Sequence, residues 1–365
     1  MMSQDAYFQL GERLNEYQVK MMLVEPYLKI LREIYTDEEA QLGAEFPLGA
    51  HTAPELGQKL GRPEKPLAEL LERMADKGTI FVTKSDDGVS RYALTPFVPG
   101  VVEFQLMRGT DTPKDRKFAK MLEEFMEGEM ADLARAAFKD PEVAKQMIPV
   151  PPARTVTVQK ELPPNTQVYS FEKLSQLVEQ ENFFGAAKCY CRHHAYLVGK
   201  PCKVPGVPEY SCLMFGKTAE YVTERGFGKR ITKEEAYRIL EATEKAGLVH
   251  NTSNLLDSTV FVCNCCGCCC GFLKSMQLMG TNAMLSFSNF RVQADTAECV
   301  GCGDCVERCQ VGALSLAEDV ISVAESKCLG CGNCVSACPT ECLTMVRRSE
   351  WIPPEAGDSL GGLGM

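Results

Sequence analysis

Two stretches near the C-terminal end of the chain repeat one spacing of thiols. Residues 299–313 read CVGCGDCVERCQVGA and residues 328–342 read CLGCGNCVSACPTEC, each a C-x2-C-x2-C-x3-C run. Thiolates this close together on a loop are soft ligands that converge on one centre, and the chemistry lies between zinc and iron–sulfur. Zinc motifs pair two C-x2-C knuckles across a longer gap. Two complete four-cysteine runs, the second closed by Cys338-Pro339, favour iron–sulfur. Gly301, Gly303, Gly330 and Gly332 give each loop a backbone that can wrap closely around such a group.

From Ala294 to Arg348 this pattern resembles the bacterial two-cluster ferredoxins. In that family three closely spaced thiolates hold one [4Fe–4S] cube and the fourth cysteine of each run crosses to the other cube. The resemblance implies one cluster on Cys299, Cys302, Cys305 and Cys338, and another on Cys328, Cys331, Cys334 and Cys309. Gln310 departs from the family's pattern, where proline is usual. Cys342 stands where the first repeat has Ala313, and reads as a small buried residue beside the cube rather than as a ninth ligand.

Ten more cysteines lie upstream. Cys189 and Cys191 sit in KCYCRHH, Cys202 in GKPCKVPG and Cys212 in EYSCLMFG. Then VCNCCGCCCGF brings Cys263, Cys265, Cys266, Cys268, Cys269 and Cys270, six in eight residues. Unmetallated, such a run would be an oxidation liability, so metal binding is expected of all ten. Neighbouring cysteines are expected to divide between metals or to leave one free. One or two further [4Fe–4S] clusters, a non-cubane cluster or zinc would satisfy them. Cys265-Cys266-Gly267 resembles the tripeptide at which heterodisulfide-reductase-like subunits hold a non-cubane cluster. His193 and His194 could ligate or move protons, against the simpler reading of hydrogen bonds to backbone. The whole order from residue 167 to 347 resembles the ferredoxin-type iron–sulfur binding proteins of anaerobic bacteria and archaea. That resemblance implies electron transfer and no particular substrate.

The elements that must carry these thiols read as an α+β multidomain chain. Its N-terminal half is mostly helical and winged-helix-like, its central module is cysteine-rich α/β, and a bacterial ferredoxin-like domain ends it. Residues 1–44 are expected to be helical, with Val19, Met22, Leu23, Tyr27, Ile30, Leu31 and Ile34 at helical spacing. Within 45–110, TAPELGQKLG and PEKPLAELLERMADKG predict two helices, and TIFVTK and SRYALT a hairpin. Helix, turn, helix and hairpin resemble a winged helix. Its second helix carries three basic residues against four acidic ones, which disfavours a nucleic-acid partner and favours docking or dimerisation. A helix is expected over residues 113–138 of a 111–148 segment, with Phe118, Leu122, Phe125, Met126, Met130, Leu133 and Ala137 on its apolar face. The proline-rich stretch 149–166 predicts an extended linker, followed by the cysteine-rich module at 167–290, the ferredoxin domain at 291–348 and a tail at 349–365.

A net charge of −10 over 365 residues argues weakly against anionic partners. No run approaches the ~20 apolar residues that span a bilayer. The first residues carry no apolar signal-peptide core, so nineteen cysteines are expected in a reducing cytoplasm rather than in disulfides. The functional expectation is an electron-transfer protein or subunit working between a soluble carrier such as ferredoxin and a partner oxidoreductase or flavoprotein. Two alternatives stand beside it: a reductase whose catalytic cluster lies at Cys263–Cys270, and a redox-sensing winged-helix regulator.

Overall fold

The computed structural model of the chain describes residues 5–85, 88–128, 132, 135–256, 258–279 and 284–355. Helix and sheet are mixed, in keeping with an α+β fold. The N-terminal region is three helices: Ala6–Leu14, Glu25–Ile34 and Asp37–Glu45. Val19, Met22 and Leu23, expected on a helix, lie in the connection. The Asn15 side chain holds that connection by pairing with both the N–H and the carbonyl of Met21, and Pro26 opens the next helix. Their apolar spacing arises because the connection covers the core, not because it coils.

The next elements follow the sequence closely. Thr52 caps the helix Ala53–Leu60 in a capping box with Glu55, and Gly61 ends it in the left-handed region. The helix Glu64–Lys77 stops at Gly78, and strands β1 (Ile80–Lys84) and β2 (Ser90–Leu94) pair as an antiparallel hairpin. Asp86 and Asp87 of the expected turn lie outside the described residues, as do Met130 and Leu133 of the expected 113–138 helix and residues 356–365 of the tail. The described part of that helix runs Pro113–Glu127, burying Phe118 and Leu122.

The centre of the molecule is a seven-stranded sheet. Its strands are β3 (Ala153–Thr155), β4 (Phe184–Lys188), β5 (Tyr210–Phe215), β6 (Lys229–Ile231), β7 (Val249–Ser253), β8 (Phe261–Cys265) and β9 (Leu285–Ser286), in the order β6-β4-β5-β8-β7-β3-β9. Every pairing is antiparallel except that of β3 with β9. The stretch read as a linker is therefore extended but not free. Residues 152–158 are buried, β3 fills the slot between β7 and β9, and the N–H of Val158 donates to the carbonyl of Cys331. Prolines 151 and 152 sit just ahead of the strand, where no ladder hydrogen bond is lost.

Nor do the two halves of the chain form separate cores. Tyr221 lies among Phe81, Phe104 and Phe227, and its hydroxyl donates to the carbonyls of Ala75 and Ile80. Arg225 bonds Glu72 and Asp76 on the helix Glu64–Lys77. That helix is thus partly covered by the cysteine-rich module.

The last domain is two small antiparallel ladders, β10 (Phe290–Ala294) with β13 (Leu343–Arg347) and β11 (Leu314–Ala317) with β12 (Val320–Val323). The buried carboxylate of Glu172 pairs with Arg347 and accepts from Asn289, tying the start of the cysteine-rich module onto β10 and β13. Among the described residues no helix is long and apolar enough to cross a membrane.

Candidate metal centres

The two ferredoxin-type loops face different surroundings although their sequences repeat. Val300 is 66 % exposed, while its counterpart Leu329 is 2 % exposed and packs in one core with Cys265 and Cys270. Asp304 is exposed, and its counterpart Asn333 is buried. The first loop looks outward and the second inward.

Thiols of the two runs lie close enough to act on one another. The charges that act on Cys305 come from Cys338, Cys302 and Cys299, and those on Cys331 from Cys309 and Cys328. Cys334 feels Cys331, Cys328, Cys309 and also Cys305 of the first run. Burial pushes the Cys331 thiol up to about 12. The N–H of Ala313 donates to Sγ of Cys309, the kind of backbone contact that steadies a ligating sulfur. Cys342 is buried with its Sγ 3.4 Å from that of Cys338.

Three side chains from the two runs lock the ferredoxin domain to the central module. Arg308 donates to the carbonyls of Glu244, Lys245 and Asn333. Asn333 Nδ2 reaches the carbonyls of Gly247 and Leu248. Gln310, the departure from the family's proline, accepts from the N–H of Gly267 at 2.9 Å and donates to the carbonyl of Gly247 at 3.0 Å. A Cβ on Gly267 would lie 2.0 Å from the Gln310 carbonyl oxygen, so the thiol-rich turn and the ferredoxin loop touch backbone to backbone. Gln310 is an interface residue, which its position in the repeat could not reveal.

The ten central cysteines fall into two groups. Cys202, Cys266, Cys268 and Cys269 place their sulfurs within 4.8 Å of one another, and among the described residues no other set of three or more potential ligands is so compact. Sγ of Cys202 lies 3.6 Å from Cys266 and 3.7 Å from Cys268, and Cys268 lies 3.6 Å from Cys269. The other six form a chain of contacts: Cys212 pairs with Cys263 across β5 and β8, Cys263 meets Cys265, Cys265 meets Cys270, Cys270 meets Cys191, and Cys191 meets Cys189. Cys265 and Cys266 fall in different groups, as do Cys269 and Cys270. Cys268 and Cys269 share one group, because the turn at 267–269 curls both inward; the N–H groups of Cys269 and Cys270 both point to the Cys266 carbonyl.

Positioning begins with β8. Strand alternation puts Cys263 and Cys265 on one face and Asn264 on the other. There Asn264 donates to the Ser211 carbonyl and accepts from His250 Nδ1 and from Thr243. Arg192 donates to the Asn264 carbonyl and lies against both thiol groups, with Cys189, Cys266 and Cys265 as its charged neighbours. The Cys266 thiol is pulled down to about 4, chiefly by the hydrogen bond from Cys269, with Arg192 adding to it. His193 and His194 are engaged by backbone carbonyls of Thr110 and Ala119 through Nε2, as the simpler reading has it.

Sequence reading missed one group. Glu103 faces an apolar cavity of about 130 Å³ that also reaches Tyr190, Cys212 and Cys263. Its carboxylate accepts from the Gly100 N–H at 2.7 Å and from the Tyr190 hydroxyl, and burial raises its pKa to about 6. A lone carboxylate inside the apolar run VVEFQLM was the available signal.

Residues 292–345 match the family model described as a 4Fe-4S dicluster domain. No curated protein and no solved structure gives a significant match to the chain. The matched domain, together with the clustered thiols, supports an iron–sulfur protein with a role in electron transfer.

Proposed function

We propose that the chain passes single electrons between a soluble low-potential carrier and a partner oxidoreductase or flavoprotein in the cytoplasm. Two [4Fe–4S] clusters would supply the one-electron steps, on Cys299, Cys302, Cys305 and Cys338 and on Cys328, Cys331, Cys334 and Cys309. The observation that carries this reading is the opposed exposure of Val300 and Leu329, which makes one loop a contact with solvent and the other a contact with the six-thiol chain. Electrons would then run between the surface and the central module through the ferredoxin domain. The winged-helix-like segment serves this as a docked scaffold. The engagement of Glu72 and Asp76 by Arg225 further weakens the case for a DNA-reading helix.

The outward loop carries exposed Glu298, Asp304 and Glu307, so its field should select redox partners by charge. In the triple variant Glu298→Lys, Asp304→Lys and Glu307→Lys, oxidation of the reduced protein by cationic hexaamminecobalt should slow and that by anionic ferricyanide should quicken. The ratio of the two rates is expected to change by about tenfold or more at low salt. An unchanged ratio would mean that electrons leave elsewhere.

A second reading is favoured by the cavity at Glu103: the central module itself reduces an apolar molecule, such as a small disulfide. An acid with a pKa raised to about 6 holds its proton below that pH and loses it above, so the rate should fall as pH rises through 6. Glu103→Gln would cost about 10²–10⁴-fold in that rate with the reduced EPR spectrum intact. Equal rates in the variant and the parent would remove this reading.

A further inference from the structure

We infer that Cys202, Cys266, Cys268 and Cys269 form a closed mononuclear zinc site, separate from any cluster. A tetrahedral ion with Zn–S bonds near 2.3 Å sets its four sulfurs about 3.8 Å apart. Three of the sulfur pairs here stand at 3.6, 3.7 and 3.6 Å, and all four sulfurs lie within 4.8 Å of one another. A cube presents each thiolate at a separate corner, with the four bonds diverging, so its sulfurs are spread much wider.

The same molecule supplies the control. Neither ferredoxin set, whose spacing fits cubes, brings three of its sulfurs within 4.8 Å of one another, and the tetrad does. All four positions of the tetrad are protein thiols, which is the donor set of a structural zinc site with no open coordination. Four thiolates on a divalent ion leave an excess of two negative charges. The half-buried guanidinium of Arg192 beside Cys266 offsets part of that, and the Val204 N–H donates to Cys202.

The site would fasten the loop carrying Cys202 to the turn 266–269, and that turn in turn rests on Gln310. It thereby sets the position of the ferredoxin domain relative to the six remaining thiols, which are left for redox chemistry. This inference does not depend on the proposed electron path.

The test is metal analysis of the full-length protein purified anaerobically, with zinc-edge X-ray absorption on the same sample. About one zinc per chain is expected, with four sulfurs near 2.3 Å and no neighbouring metal. Cys202→Ser and Cys268→Ser should each lower zinc while leaving iron and the dithionite-reduced EPR spectrum unchanged. Zinc absent from the parent protein, or a loss of iron in either variant, would overturn the assignment; the absorption spectrum of the parent decides the matter if a variant does not fold. A chain that holds zinc but no iron would sink the electron-transfer reading and leave this one standing.

Discussion

Replacing Gly330 by alanine should cost the protein its inward cluster. Gly330 has φ of +76°, and a Cβ there would lie 1.9 Å from the carbonyl oxygen of Phe290 and 2.8 Å from its carbon. The left-handed backbone alone costs an L-residue about 1–2 kcal/mol. Overlap with rigid backbone of β10 adds a further ~1–3 kcal/mol, and neither partner can rotate away. The loop that carries Cys328, Cys331 and Cys334 must then shift, so iron is expected to fall by about four per chain. Gly312→Ala is the matched control. It shares a positive φ of +60° but meets nothing within 4 Å, so only the conformational cost of about 1–2 kcal/mol should appear, with full iron. Equal iron in the two variants would show that close approach at Phe290 does not govern the loop.

Removing the Arg308 side chain should uncouple the ferredoxin domain from the central module without emptying its clusters. The guanidinium closes three carbonyls at 2.8–3.1 Å, two of them at the C-terminal end of the helix Lys233–Lys245, where a cation is also favoured by the helix dipole. Hydrogen bonds of a charged donor contribute about 1.5–3 kcal/mol each, and the orphaned carbonyls gain only partial compensation from water. Arg308→Ala is therefore expected to raise amide exchange at residues 244–248 and 331–335 by about tenfold or more, which is 1.4 kcal/mol or more of local opening. Iron content should stay at the parent value. Protection that survives the substitution would place the hold on Asn333 and Gln310 instead.

These expectations draw unequally on sequence and structure. The two C-x2-C-x2-C-x3-C runs were legible because a cluster loop is local: spacing along eleven residues decides where its thiols point. Capped helices such as Ala53–Leu60 were legible for the same reason, since Thr52, Glu55 and Gly61 act within one or two turns. The seven-stranded sheet was not, because its strands are two to six residues long and pair across a hundred residues or more, as Ala153 does with Ser253 and Leu285. Proline-rich residues 149–166 looked like a tether, and only the pairing of β3 with β7 and β9 reveals a strand inside them.

The division of the central cysteines was hidden for a related reason. Their spacing says that they bind metal, but which sulfurs meet depends on a turn at 267–269 and on Cys202 arriving from another part of the chain. The repeat likewise concealed that its halves are unequal. Val300 and Leu329 are interchangeable in the motif and opposite in exposure, because Leu329 packs into the core that holds Cys265 and Cys270 while Val300 faces solvent.

The central claim, that the chain carries electrons on iron–sulfur clusters, meets its most direct test in iron and acid-labile sulfide per chain on anaerobically purified protein, with EPR after dithionite reduction. At least ~8 iron and matching sulfide are expected, with signals of two interacting reduced cubes, and ~12 or more if the six-thiol chain holds a further cluster. A protein with little iron, no labile sulfide and zinc at the ferredoxin thiols would contradict it.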